Sequence, residues 1–330
     1  MNIFEKLVLG GSVFGWSANK NQSFQVLDYF YAHGGRTIDT SDFYSEWVPG
    51  NTGGESEVII GEWLESRKLH AKIRLVTKFG LSSKRLGFGR DNIIRAASDS
   101  RARLRVDHIG VYMPHRTPLF AESHDFIDAM GHLYSSSLIE SVGFSHCDFE
   151  SLKKLKLELD KCKVPVSIVE DNFNLVEREL KDSVIPWASN HNLEFVAARG
   201  LAGGFLTGKY TGIKGNSQLR TLTGLVSHFS TTGKKVFLKK YRASLTSASV
   251  GKYLDSVSPK LFLVLKDIAK IHDTNIVSVV LSWTLLQKGV QKTCVSFRTI
   301  SQMRNLHLIF LSDTELARIE SCLDQTIYRA

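Results

Sequence analysis

Asp39, Tyr44, Lys78 and His115 are a carboxyl, a phenol, an ammonium and an imidazole that fall at or just beyond the ends of three consecutive strand-like runs: Ile38-Asp39-Thr40-Ser41-Asp42-Phe43-Tyr44, Val76-Thr77-Lys78 and Tyr112-Met113-Pro114-His115. Together these groups could deliver a proton to an oxygen. A tyrosine with its ordinary pKa of about 10 is a poor acid near neutrality unless a cation stabilises the phenolate. Lys78 is the candidate cation, and lowering the phenol usefully requires about 3–4 kcal/mol of preferential phenolate stabilisation. Asp39 would keep that lysine charged and oriented, because a buried ammonium without a partner tends to lose its proton. His115 could aim a ring N–H at the substrate oxygen. Taken singly, each has a bland reading as a turn residue, a core or surface aromatic, a solvated strand end or a loop histidine. Their joint placement at successive strand ends is what favours a site.

Such a cluster needs a scaffold that brings successive strand ends together. Short β-branched runs recur at Lys6–Gly10, Thr37–Asp39, Ile73–Lys78, His108–His115, Ser141–Ser145, Val166–Glu170, Glu194–Ala198 and Lys292–Phe297. Helix-length segments with apolar residues at three-four spacing lie between them, at Ser23–His33, Glu55–Arg67, Asp91–Arg105, Asp125–Tyr134, Phe149–Lys161 and Glu177–His191. Eight strands alternating with helices predict an α/β fold, a parallel (β/α)8 TIM barrel whose chemistry sits at the C-terminal ends of the strands. The rival, a doubly wound open sheet, would carry Gly-x-Gly-x-x-Gly after its first strand, and Gly10-Gly11-Ser12-Val13-Phe14-Gly15 does not match. One long segment, Gly203–Ser258, follows the seventh strand with a single helical stretch near Lys234–Leu245, and reads as a loop or lid over the barrel mouth. Helical patterns at Pro259–His272 and Val277–Gln287 precede the eighth strand, and another at Asp313–Leu323 follows it. No linker divides residues 1–330, so one barrel domain is expected.

The segments Gly34-Gly35-Arg36-Thr37-Ile38-Asp39-Thr40-Ser41-Asp42-Phe43-Tyr44 and Gly53-Gly54-Glu55-Ser56-Glu57 with Ile60-Gly61 resemble the aldo-keto reductase signature. The similarity continues through Val76-Thr77-Lys78, His115-Arg116, Val142-Gly143-Phe144-Ser145, Asn174-Leu175 with Arg178, and Leu201-Ala202-Gly203-Gly204-Phe205-Leu206-Thr207-Gly208-Lys209-Tyr210. The style is that of bacterial members related to sugar-carbonyl reductases and potassium-channel β subunits. The resemblance implies that Asp39, Tyr44, Lys78 and His115 match the family's catalytic tetrad, with Tyr44 as proton donor, and that the cofactor is NADP(H) bound in extended form without a Rossmann domain. By the same resemblance Ser145 would face the carboxamide, Leu201, Gly203, Gly204 and Leu206 would line the pyrophosphate path, and Arg298, Gln302 and Asn305 would lie near the adenosine phosphate and base. Arg298 and Lys209 favour NADP over NAD, since a 2′-phosphate suits a cationic fork. Three cofactor-contacting positions depart from the family pattern: His146 stands where Asn is common and Glu170 where Gln is common, both at positions that touch the carboxamide in the family, and Arg199 where an aromatic often stacks on the nicotinamide. Trp16 and Trp47, in the first two strand-to-helix loops, could wall a substrate pocket.

The implied activity is NADPH-dependent reduction of an aldehyde or ketone, with a sugar or other polar carbonyl as a reasonable substrate. Two alternatives stay open: a nicotinamide-binding sensor or regulatory subunit with little turnover, and a biosynthetic enzyme that oxidises its substrate transiently through bound NADP. The three departures motivate the second. The bulk composition excludes other classes. The chain's 42 basic and 33 acidic side chains give a net charge of +9, spread along the sequence instead of gathered into the basic stripe that nucleic acid requires. No apolar run approaches a membrane span, and Glu5 and Lys6 interrupt any apolar stretch at the N-terminus. The four cysteines, Cys147, Cys162, Cys294 and Cys322, show neither zinc spacing nor disulfide density, so reduced thiols in a cytoplasmic protein and no metal are expected. Ser145-His146-Cys147-Asp148 could suggest a metal or thiol site, but successive positions of a strand face opposite ways, so none is expected there.

Overall fold

The computed structural model of the chain describes residues 2–117, 123–210, 250, 253 and 257–323. Eight strands, β1 (Leu7–Gly10), β2 (Thr37–Asp39), β3 (Arg74–Phe79), β4 (Ile109–Pro114), β5 (Ile139–Ser145), β6 (Val166–Asn172), β7 (Glu194–Ala198) and β8 (Lys292–Val295), form one sheet. Each pairs in parallel with the next, and β8 returns to β1, with Val8 opposite Cys294, to close a (β/α)8 barrel.

The alternation of side chains along each strand sorts residues between barrel interior and helix layer. In β3, Val76 joins Val8, Val111, Met113, Ile168 and Val196 in an apolar plug on the barrel axis, while Leu75 and Phe79 pack outward into the helix-facing cores. The plug is almost fully buried, so the barrel is a packed core with two separate polar ends. Arg74 lies one period below Val76 in β3, and Lys78 one period above it.

A short helix, α1 (Ile3–Lys6), precedes β1. Helix α2 (Lys20–Ala32) begins three residues before the Ser23 expected from apolar spacing, because Asn19 and Gln22 form a reciprocal capping box. Helices α3 (Glu55–Arg67), α4 (Arg90–Leu104), α5 (His124–Ser135) and α6 (Phe149–Lys161) follow the expected pattern closely. Gly61 lets α3 approach α4, since a Cβ there would lie 2.3 Å from the Arg103 carbonyl oxygen. The helix expected at Glu177–His191 is much shorter: α7 spans Val184–Asn190. Pro186 explains the difference. A proline inside a helix that began at Glu177 would remove a backbone bond and clash with the preceding turn at a cost of about 3 kcal/mol, whereas the first turn tolerates it.

Helices α8 (Lys260–Ile271), α9 (Ile276–Leu286) and α10 (Asp313–Leu323) complete the described elements. Of the expected lid, Ala202–Thr207 forms a 3-10 turn after β7, while residues 211–249, with the helical stretch expected at Lys234–Leu245, lie outside the described residues. Among the described residues no helix is long and apolar enough to cross a membrane.

Candidate active site

The four expected chemical residues meet at the C-terminal rim, and local backbone pairing explains how. Beyond Asp39 the chain keeps pairing with β3: Thr40 N–H donates to the Val76 carbonyl at 2.8 Å and Asp42 N–H to the Lys78 carbonyl at 3.0 Å. The chain then turns tightly, with Tyr44 N–H donating to the Ser41 carbonyl at 3.2 Å. Ser45 holds a left-handed φ of 71° and donates its Oγ hydrogen to the Phe14 carbonyl at 2.7 Å. That turn swings the Tyr44 ring back over the strand ends. His115 is fixed from the other side by its N–H to the Phe79 carbonyl, 2.8 Å, and by Nδ1 against Ser41 Oγ, 2.9 Å.

Lys78 Nζ donates to Asp39 Oδ1 and lies 3.3 Å from Glu170 Oε1. The Tyr44 hydroxyl donates to Asp39 Oδ2 at 3.2 Å, and the Tyr44 and His115 rings meet edge to face at 5.5 Å. The side chains of Lys78 and Asp39 are each 2% exposed and that of Glu170 is 7% exposed, so water does little to screen these charges. Burial and the facing Glu170 raise the Asp39 carboxyl to about 7, against the opposing pull of Lys78. For Lys78, burial alone would favour loss of the proton, but Asp39 and Glu170 outweigh it and hold the ammonium well above its usual value. Burial and the Lys78 charge hold His115 well below the ordinary imidazole range, so it is neutral near pH 7.

The expected pull of Lys78 on Tyr44 is present but outweighed. The lysine's charge lowers the phenol as the sequence suggests, yet burial and Asp39 push Tyr44 well above its ordinary value. The physical reason is the geometry of the ammonium. Lys78 Nζ sits 5.5 Å from the Tyr44 ring centroid and is held by two carboxyl groups, while the phenol's own hydrogen bond goes to one of those carboxyls. Asp39 therefore touches both partners at once, accepting from the ammonium on one oxygen and from the phenol on the other.

The rim opens into a cavity of about 970 Å³. Its wall includes all four of these residues together with Ser145, His146, Glu170, Arg199, Leu201, Gly203, Gly204, Lys209, Arg298 and Gln302, and also Trp16 and Trp47. Two expected residues stand elsewhere. Leu206 is fully buried in the hydrophobic core beside Phe205, where an apolar side chain loses its contact with water, and Asn305 turns its backbone carbonyl toward the Asn275 side chain at 3.3 Å. Glu170, expected at a cofactor carboxamide, also borders the Lys78 ammonium. His146 pairs through Nδ1 with Asp171 Oδ1 at 3.1 Å.

Trp16 and Trp47 pack edge to face at 5.5 Å and form one side of the cavity, with Trp47 6.4 Å from the Tyr44 ring. The cavity's other arm suits a long anionic ligand. Arg199, Lys209, Arg298 and Arg304 line it, and none is ion-paired with a carboxylate among the described residues. Gly203 and Gly204 adopt φ of 66° and 90°, bringing bare backbone to the wall, and a Cβ on Gly204 would come within 3.1 Å of Lys209 Nζ. Ser145 Oγ is buried without a partner and has an unused hydrogen bond at the cavity wall. The residues present therefore fit a dinucleotide: cations for phosphates, open backbone for a pyrophosphate, and a free hydroxyl for an amide.

The sequence reading missed several groups. Ser12, Cys294, Ser296 and Arg304 also line the cavity. The signal for Cys294 was available, since it shares its strand face with Lys292 and Ser296 at a period of two. Asp42 had no legible role, yet it is buried with Oδ2 unpartnered, and burial together with Glu57 raises it to about 8. Cys147 is no reactive thiol: it donates to Thr117 Oγ1 at 2.6 Å, and burial pushes it up.

The sequence model for the aldo/keto reductase family matches residues 6–324. The chain is 49% identical over 79 residues to an uncharacterized 11.2 kDa protein of Pseudescherichia vulneris, covering 24% of this chain and 77% of that protein. It is 27% identical over 217 residues to a putative aryl-alcohol dehydrogenase of Saccharomyces cerevisiae, covering 60% of this chain and only 56% of the dehydrogenase. It is 26% identical over 335 residues to an uncharacterized oxidoreductase of Bacillus subtilis, covering 98% and 90% of the two chains.

Proposed function

The chain belongs to the aldo/keto reductase family, and from that premise we propose that it is an NADPH-dependent reductase of an aldehyde or ketone with Tyr44 as general acid. The observation that carries the reading is the Tyr44 hydroxyl at the cavity floor, bonded to Asp39 beside the Lys78 ammonium and facing a neutral His115. The bound cofactor would supply a hydride to the carbonyl carbon. The chain's own residues handle the oxygen. His115 donates a hydrogen bond to the carbonyl as negative charge develops there, and a neutral ring does so without competing for the proton. Tyr44, fully protonated near neutrality, gives its proton to the much more basic alkoxide.

Arg199, Lys209, Arg298 and Arg304 would bind the cofactor's phosphates, and the cluster of cations favours the 2′-phosphate of NADP. Ser145 and Glu170 would face its carboxamide. Trp16 and Trp47 would wall the substrate side, which suits a carbonyl carried on a flat or apolar group; a dehydrogenase named for aryl alcohols among the relatives points the same way. Four cysteines, none of them in a disulfide, fit a reducing, cytoplasmic setting. Calorimetric titration of NADPH and NADH, followed by NADPH oxidation over a panel of aromatic, aliphatic and sugar aldehydes, tests the reading. Preferential NADPH binding with turnover of at least one aldehyde is expected. Tight NADPH binding with no turnover on any carbonyl would replace the reductase with a sensor or a transiently oxidising enzyme.

A further inference from the structure

The sequence pattern and the family both lead one to expect a single carboxyl beside the catalytic lysine, and the structure has two. Asp39 from β2 and Glu170 from β6 approach Lys78 from different strands, and one polar atom of each, together with Cys294 Sγ from β8, lies within 4.8 Å of the others. All of these side chains are buried or nearly so. The remaining titratable groups near the cluster are Tyr44, on the turn after β2, and the neutral His115 at the end of β4, with His146 beyond it. A single ammonium therefore faces two carboxyl groups, in a place where water cannot spread the excess negative charge. Like charges so confined do not both ionise fully; the pair keeps a proton, as paired carboxyls do elsewhere.

We propose that Asp39 and Glu170 retain one proton between them, held on Asp39 by the facing charge of Glu170, and that this proton returns to Tyr44 after Tyr44 has protonated the product. The return step rests on the reductase reading; the retained proton does not. The Tyr44 O–H bond breaks as the product O–H bond forms, leaving a buried phenolate. The O–H bond on Asp39 Oδ2 then breaks as the Tyr44 O–H bond re-forms across the same 3.2 Å contact, with the carboxyl now the donor. Asp39 regains its proton from water when the cavity opens, and the return consumes no oxidant or reductant. The transfer runs downhill, because a carboxylic acid is intrinsically a much stronger acid than a phenol and burial raises both. Glu170 touches no reacting atom in this scheme. It is a positioning residue, acting through Asp39.

The test uses the protein without cofactor, labelled with 13C at its Asp and Glu carboxyl carbons and titrated by NMR from about pH 5 to about pH 9, a window above the ordinary carboxylate range. Wild type is expected to show two carboxyls titrating in this window, Asp42 near 8 and a second near neutrality, the second assigned to Asp39 by its loss in Asp39→Asn. In Glu170→Gln, which keeps the side chain's shape, that midpoint should fall by at least about one pH unit, a tenfold loss of proton affinity. A wild-type spectrum in which no carboxyl other than Asp42, identified by its loss in Asp42→Asn, titrates above the ordinary range overturns the proposal, even if neither the Asp39 nor the Glu170 variant folds. An unchanged midpoint in Glu170→Gln overturns the part given to Glu170. Carbonyl turnover supplies the second readout: the wild-type rate should fall as pH rises through the Asp39 midpoint, and the fall should move to lower pH in Glu170→Gln. A Glu170→Gln rate lowered equally at every pH means a merely structural role and overturns the return step. A neutral-range titration without any carbonyl turnover overturns the reductase reading and the return step, and upholds the retained proton.

Discussion

The barrel has a charged cluster at each end of its axis, built from the same residue types, and the two behave differently. At the N-terminal end Arg74 meets Glu194 at 3.1 Å and donates to Ser167 Oγ at 3.1 Å, while Lys292 donates to Thr37 Oγ1 at 2.9 Å and lies 3.9 Å from Glu194. The side chains of Arg74, Glu194 and Lys292 are 33%, 23% and 19% exposed, so water reaches this cluster and screens it. At the C-terminal end, across the apolar plug of Val8, Val76, Val111, Met113, Ile168 and Val196, one lysine faces two carboxyls in a dry site. Burial pushes Asp39, Tyr44 and Cys294 up there, and buried polar atoms such as Ser145 Oγ and Asp42 Oδ2 stay unpartnered. Charges that water can reach hold a barrel closed. Charges in deficit of a partner and shut away from water have protonation states poised to change, which is what chemistry needs.

Replacing the central cation at each end sharpens the contrast. Lys78→Met leaves Asp39 and Glu170 without a counter-ion, and removing one member of a buried ion pair costs about 3–5 kcal/mol. Carbonyl reduction should vanish, and the urea midpoint should fall, more so at higher pH as the two carboxyls lose their remaining proton. Tyr44→Phe removes only the proposed acid. Turnover should drop by about 10²- to 10⁴-fold, the usual worth of a positioned proton donor, while calorimetry finds NADPH affinity nearly intact. At the other end, Arg74→Met should lower stability by about 1–2 kcal/mol, as loss of a partly exposed charged hydrogen bond does. Its kcat should stay within about threefold of wild type, the range left to a change far from the chemistry. A larger loss of turnover would break the division of labour between the two ends.

The smallest effect concerns Asp42. Its folded-state pKa, about 8, lies above its ordinary value. The native state therefore holds this proton more tightly than the unfolded chain, and the stability it contributes at low pH is lost as pH rises toward 8. Asp42→Asn imitates the protonated acid. Thermal midpoints measured across neutrality should decline less steeply with pH in the variant than in wild type, leaving the part of the decline that ends near Asp39's value of about 7. Identical slopes would mean that Asp42 is already ionised in the native protein.

Much of this arrangement was legible in the chain. Period-two runs and three-four spacing gave the eight strands and most of the helices, because side-chain periodicity is a local property of the backbone. The strand ends then gave Asp39, Lys78 and His115, and the turn after the second strand gave Tyr44. Local signals failed where a single residue overrode the pattern, as Pro186 does in shortening α7, or where direction mattered, as with Leu206, whose neighbours line the cavity while its own side chain enters the core. What the sequence by itself determined is which groups stand at the rim. How those groups are charged was decided only by the closed barrel. Lys78 and Glu170 are 92 positions apart, and their 3.3 Å approach exists because closure of the barrel brings the ends of β3 and β6 together around one rim. No local periodicity encodes that distance, and it is the distance, with the exclusion of water around it, that turns the phenol's expected helper into the partner of two carboxyls.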